Sequence, residues 1–164
     1  MIKGKVFKYG DNVNTDVIYP GKYVYTIMDP EEMAEHALED LDPDFVNNVN
    51  KGDIIVAGKN FGCGSSREQA VTCLKHAGVS AIIAKSFARI YYRNCINNGL
   101  IPVICKEASE YIKNGDVVSI DVLKGNIFVG DKEFNFVPFT EFIMEIIDSG
   151  GLLEYTKKVI KCTK

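Results

Sequence analysis

Three short runs constrain this chain more than anything else in it: Asp53–Ala57 (DIIVA), Ser80–Ala84 (SAIIA) and Ile101–Ile104 (IPVI) are almost wholly apolar, and helix-patterned stretches separate them. Strands buried on both faces read this way, and consecutive parallel strands need a helical crossover between them. The first crossover carries Ala70, Val71, Leu74 and Ala77 at helical spacing. Its start is placed near Ser66, with Gln69 completing a capping box, and its end at Gly78, which suits a left-handed C-cap. The second runs from about Ala88 to Asn97 and closes at Gly99.

Outside this block, Ile2–Lys8, Val117–Leu123 and Asn126–Gly130 read as strands, the last two joined by a hairpin through Lys124-Gly125-Asn126. Asp29-Pro30-Glu31-Glu32 opens a further helix, with Met33, Ala37, Leu38 and Leu41 recurring along one face. A long final helix is expected to bury Phe139, Phe142, Ile143, Ile146 and Ile147. Crossovers argue for a parallel part and the hairpin for an antiparallel one, so the class is α/β with a mixed sheet flanked by helices. No repeat, linker or compositional break divides residues 1–164, which read as one domain.

Composition narrows the function. With 19 Lys and Arg against 22 Asp and Glu the net charge is −3, and no basic run offers a face for nucleic acid. No apolar stretch is long enough to span a membrane, and the N-terminal residues lack the apolar core of an export signal. A cytoplasmic location with reduced thiols is expected. The five cysteines, Cys63, Cys73, Cys95, Cys105 and Cys162, form no C-x-x-C pair, so neither a disulfide framework nor a metal site is written into this chain. His36 and His76 likewise lack a carboxylate or Cys partner at motif spacing, and no catalytic role is assigned to them.

The chemistry is expected in Gly52–Ala70, where an apolar strand enters a glycine-rich turn and then Ser65-Ser66-Arg67. Amides of Gly62, Cys63 and Gly64 could cradle an anion, a helix N-terminus would add partial positive charge, and Arg67 could clamp a carboxylate or phosphate. An ordinary strand–turn–helix with Ser66 as N-cap, and Cys63 there only for packing, explains the same residues. The pattern is not a P-loop, a dinucleotide fingerprint or a serine-hydrolase elbow.

Three separated blocks together carry a resemblance: GDNVNTDVIYPGKYVYT (Gly10–Thr26), the Gly58–Ala70 segment with Gly62 and Gly64-Ser65-Ser66-Arg67-Glu68, and AKSFARIYYRNCINNGLIP (Ala84–Pro102). In this order and spacing the chain resembles the small-subunit family of the aconitase-type hydro-lyases, in particular the branch serving 3-isopropylmalate dehydratases. The resemblance implies a swivelling β/β/α domain that closes over a large subunit bearing a [4Fe–4S] cluster, with no metal held by this chain. It implies that Ser65 is the base removing a proton beside a carboxylate, Arg67 the holder of that carboxylate, Ser66 a hydrogen-bonding partner and Asp16 an orienting residue. Asp16 could otherwise be a simple turn former before Pro20, and Arg89 and Arg93 are expected on a solvated or ion-paired face.

In this family the loop holding Val24, Tyr25 and Thr26 reaches the variable end of the substrate. Tyr25 stands where members resembling homoaconitase carry an Arg for an extra carboxylate. The expected reaction is therefore the isomerisation of 2-isopropylmalate and 3-isopropylmalate through 2-isopropylmaleate. Alternatives are a relative acting on 2,3-dimethylmalate, homoaconitate or citrate, with Lys22 supplying any missing charge, or a non-enzymatic carboxylate- or phosphate-binding module. The isolated chain could form a homo-oligomer.

Overall fold

The apolar runs pair side by side. In the structure, a computed structural model describing residues 1–162 (without the side chain of Cys162), strands β1 (Ile2–Lys8), β2 (Ile54–Ala57), β3 (Ala81–Ala84) and β4 (Ile101–Ile104) are parallel neighbours. On the other side of β1 comes an antiparallel meander of β5 (Val117–Asp121), β6 (Asn126–Val129) and β7 (Lys132–Asn135). The seven-stranded order is β4-β3-β2-β1-β5-β6-β7.

Because β1 to β4 step in a single direction, right-handed crossovers must put their helices on one face. Helices α1 (Thr15–Ile18), α2 (Pro30–Ala34), α3 (Phe45–Asn48), α4 (Gln69–Ala77) and α5 (Arg89–Asn97) supply the buried Ile18, Met33, Phe45, Val71, Leu74 and Tyr91, which share a cluster with Phe7, Ile55 and Ile82. Register alternation sends Val6, Ile54, Ala81 and Ile101 to the opposite face. There they meet Val118, Ile120 and Ile127 of the meander, with Ala108 of α6 (Lys106–Tyr111) and Ile147 of α7 (Glu141–Asp148). The layering is β/β/α, as the resemblance implied.

Several expectations need correction. Helix α4 begins at Gln69 with Glu68 as its N-cap and no capping side chain, so the Ser66–Gln69 capping box does not form. Its Gly78 end is as expected, at φ 114°. Asp29 caps α2 by accepting from the Glu32 amide, but that helix stops at Ala34. Leu38, at φ 59°, then turns the chain so that Ala37 and Leu38 are buried while Leu41 is left exposed. Tertiary packing, with the Leu38 amide donating to the Ile18 carbonyl, overrides the helical spacing here. The final helix is two, α7 and α8 (Leu152–Cys162), divided at Gly150-Gly151 where the backbone passes against the Asn97 carbonyl.

The arrangement matters because the loops after β1, β2 and β3 leave the same carboxyl edge of the parallel strands. Bridges between Asn14 and Cys63, and between Phe61 and Phe87, tie the three loops together. Open α/β sheets bind ligands at this edge.

Candidate active site

The glycine turn after β2 is pressed onto the fold rather than left open. Gly62 has φ 75°, and a Cβ there would lie 2.0 Å from Cγ of the buried Tyr91 ring, so no side chain fits. Its amide donates to the Val13 carbonyl at 2.7 Å, and the Cys63 carbonyl accepts from the Thr15 amide at 2.8 Å. Gly62 therefore cannot offer its N–H to a ligand. Cys63 and Gly64 carry the turn amides that lack an internal acceptor among the described residues.

Thr15, fully buried at the start of α1, reaches Ser65 across this seam. Its hydroxyl lies 2.9 Å from Ser65 Oγ and accepts from the Ser65 amide at 3.0 Å. Gly64 permits that approach, since a Cβ on it would sit 3.2 Å from Thr15 Oγ1. Ser65 and Ser66 themselves are exposed, and the Ser66 carbonyl accepts from the Asn94 side chain of α5 at 3.2 Å. With α4 starting only at Gln69, the helix-terminus field at Ser65 is weaker than a helix opening at Ser66 would give.

Arg67 is held rather than free. Its Nη1 is buried and forms an ion pair with Asp16 Oδ1. The guanidinium lies over Gly21, whose Cβ, if present, would come within 3.3 Å of Nη1. Asp16 is not a turn former: Asn14 caps α1 by accepting from the Val17 amide, and the Asp16 carboxylate is spent on Arg67.

From Gly21 the chain enters a 3-10 turn (Gly21–Tyr23) and the loop expected to read the substrate. Val24 packs against the core, Tyr25 is 88% exposed, and the Thr26 hydroxyl donates back to the Tyr23 carbonyl at 3.4 Å. None of these three hydrogen-bonds to Ser65, Ser66 or Arg67 among the described residues. A clasp around Glu39 holds the loop: Lys22 Nζ and His36 Nδ1 each lie 2.7 Å from its carboxylate, and the Tyr23 ring stacks on His36 at 3.9 Å. Burial pushes the Glu39 carboxyl up, but the hydrogen bonds from Lys22, His36 and Tyr23 together hold it below its ordinary value. Lys22 is thereby paired with Glu39. His36 thus has a carboxylate partner after all, as does His76, whose Nδ1 lies 2.8 Å from Glu31.

Arg89 and Arg93 are exposed, form no ion pair among the described residues, and line a shallow cavity with Phe87, Tyr92 and Ile104. Cys63, Cys73, Cys95 and Cys105 are free thiols, and burial pushes those of Cys73 and Cys95 far up, which makes them packing groups. No group of three or more His, Cys, Asp or Glu is placed to hold a metal ion among the described residues. Reading by motif assigned no role to Thr15, Gly21, Asn94 or Glu39; the first three lie inside matched blocks, whereas Glu39 left no signal.

Comparison with known proteins agrees with this geometry. The family model described as the aconitase C-terminal domain matches residues 11–108. The 3-isopropylmalate dehydratase small subunit of Caldicellulosiruptor saccharolyticus is 55% identical over 163 residues, covering 98% of this chain and 94% of that protein. The 3-isopropylmalate dehydratase small subunit 1 of Thermotoga maritima is 52% identical, covering 96% of each. A crystal structure of 3-isopropylmalate dehydratase from Methanocaldococcus jannaschii superposes with a TM-score of 0.92 at 48% identity, covering 99% of this chain and 96% of that one. A seven-stranded β/β/α fold, a Ser-Ser-Arg turn at its carboxyl edge and whole-length identity at this level place the chain in the aconitase C-terminal domain family, among the small subunits of 3-isopropylmalate dehydratases.

Proposed function

We propose that this chain supplies the proton-transfer and carboxylate-holding side of a hydro-lyase that interconverts 2-isopropylmalate and 3-isopropylmalate through 2-isopropylmaleate, a step of leucine biosynthesis. The observation that carries the reading is exposed Ser65, its hydroxyl against that of buried Thr15, two residues before an Arg67 held by Asp16, at the carboxyl edge of the parallel strands. A substrate carboxylate would meet the part of the Arg67 guanidinium that Asp16 does not cover, with Asp16 keeping the group in place. Ser65 would then remove the proton from the adjacent carbon, and Ser66 with the Cys63 and Gly64 amides would face the negative charge that develops.

As the family resemblance implies, a large subunit carries the [4Fe–4S] cluster in this reading, and the steps given to this chain are those at the carbon acid. In this reading residues 1–164 act as one swivelling unit in the cytoplasm, closing over that subunit. The isopropyl arm is favoured over an extra carboxylate because Tyr25 brings no cation and Lys22 is bound to Glu39. A buried carboxylate without a counter-charge is costly by several kcal/mol in effective terms, about the scale needed to set this preference.

The test is the complex with its large subunit, assembled anaerobically and assayed on isopropylmalate, 2,3-dimethylmalate and homoaconitate. Ser65→Ala is expected to lower kcat by about 10²–10⁴-fold while the subunits still associate. A variant with near wild-type kcat would remove Ser65 from the role of base. Tight binding of a carboxylate or phosphate by the chain alone, with no turnover in the complex, would replace the enzyme reading by a binding module.

A further inference from the structure

We propose that Thr15 is a positioning residue for the base: its buried hydroxyl donates to Ser65 Oγ and holds the serine oxygen ready to carry negative charge. The inference rests on Ser65 acting as the base and goes one step behind it, to the group that makes a serine competent for that role.

The direction of the hydrogen bond follows from counting donors and acceptors. Thr15 Oγ1 has one proton and two lone pairs. One lone pair is taken by the Ser65 amide at 3.0 Å. The residue is 0% exposed, so solvent cannot receive its proton, and the acceptor within reach is Ser65 Oγ at 2.9 Å. Thr15 is therefore the donor, and the Ser65 proton is left pointing to the exposed side, where substrate and solvent are. The result is a closed ring in which the Ser65 amide donates to Thr15 and Thr15 donates to the Ser65 side chain, each bond polarising the next.

This geometry favours the charged form of Ser65. When the Ser65 proton leaves to solvent, the alkoxide keeps the Thr15 hydrogen bond, which becomes charge-assisted and about twice as strong. A hydrogen bond to the ionised form lowers a group's pKa. The alkoxide then takes the proton from the substrate carbon and is again a hydroxyl, while Thr15 keeps its own proton throughout. The backbone preserves the arrangement independently: the Thr15 amide donates to the Cys63 carbonyl at 2.8 Å, and Gly64 leaves room for Thr15 Oγ1.

The experiment is Thr15→Val, nearly the same shape without the hydroxyl, measured in the assembled complex as kcat and KM across pH beside Ser65→Ala. The expected result is a fall in kcat of about 10- to 100-fold with KM little changed. The rising limb of the kcat–pH profile should move upward by about one unit or more. Thr15→Ala, which also lacks the hydroxyl, should show the same displacement, and Thr15→Ser should recover most of the loss. A wild-type kcat–pH profile in both the Val and Ala variants, a slowed enzyme with no displacement, or failure of Ser to rescue would each overturn the proposal while Ser65→Ala stays inactive. An active Ser65→Ala would instead overturn the reading of Ser65 as base, so the two failures are distinct.

Discussion

Gly62→Ala tests whether the glycine turn is a packed support for the site rather than a loose loop. Two costs add. The backbone at φ 75° lies in the left-handed region, worth about 1–2 kcal/mol against an L side chain. The new methyl would also fall 2.0 Å from Cγ of Tyr91. That ring cannot yield easily: it is 2% exposed, lies 5.5 Å from the Phe61 ring, and its hydroxyl donates to the Ala70 carbonyl at 3.0 Å. Overpacking of this kind costs about 1–3 kcal/mol. The total expectation is about 2–5 kcal/mol, read as a lower urea midpoint at unchanged m-value.

Gly130→Ala is the control, because its φ of 55° carries the backbone cost while no atom lies within 4 Å of the added carbon. If the turn relaxes instead of Tyr91, it carries Cys63 and Ser65 away from Thr15. A displacement of about 1 Å at that point can cost a hundredfold in kcat. The loss should therefore appear either in stability or in turnover. Gly62→Ala matching Gly130→Ala in midpoint, with wild-type kcat, would refute the packing argument.

The other predictions concern the charged groups and the loop. Arg67→Lys should lower kcat/KM by at least about tenfold, since one ammonium cannot hold Asp16 and present a bidentate fork to a carboxylate; unchanged kinetics would make Arg67 only the structural partner of Asp16. Tyr25→Arg should move the substrate ranking toward homoaconitate, and an unchanged ranking would show that the loop does not read the substrate. Glu39 has its folded pKa below the ordinary 4.5, so the stability it contributes is present above that value and is lost as pH falls through the folded value. Glu39→Gln should therefore lower stability at neutral pH and flatten that part of the acid-unfolding curve; identical acid curves would count against the clasp.

Where elements read correctly from the residues, local and tertiary demands agree. Ile54–Ala57 and Ala81–Ala84 are apolar at every position because they are central strands covered on both faces, and Gly78 ends α4 because the left-handed cap is a local requirement. The misreadings fall where a distant contact decides. Apolar spacing through Leu41 suits a helix, yet the Ile18 carbonyl captures the Leu38 amide and the chain turns. Lys132–Asn135 carries a single partly buried aromatic, Phe134, and becomes a strand because β6 lends it an edge. The long terminal helix breaks because Gly150-Gly151 must pass the end of α5, which no periodicity in Phe139–Ile147 records.

The same division holds at the site. The proposed site residues Ser65, Ser66 and Arg67 stand out in the sequence because their chemistry and the turn that presents them are contiguous in the chain. The partners that give those groups their character come from the other end of a 50-residue gap: Thr15 for the Ser65 hydroxyl, Asp16 and Gly21 for the Arg67 guanidinium. The two gaps close for one reason, that β1 and β2 are parallel neighbours whose following loops leave the same edge and are pinned by the Asn14–Cys63 bridge. Strand pairing thus converts two unrelated stretches into one donor–acceptor set. A serine in a flexible turn would have its hydroxyl solvated and its charge unsupported. In the proposed reading one side of the oxygen meets the buried Thr15 hydroxyl as donor and the other faces solvent, which is the asymmetry a base needs if it is to lose its proton outward and take another from a ligand.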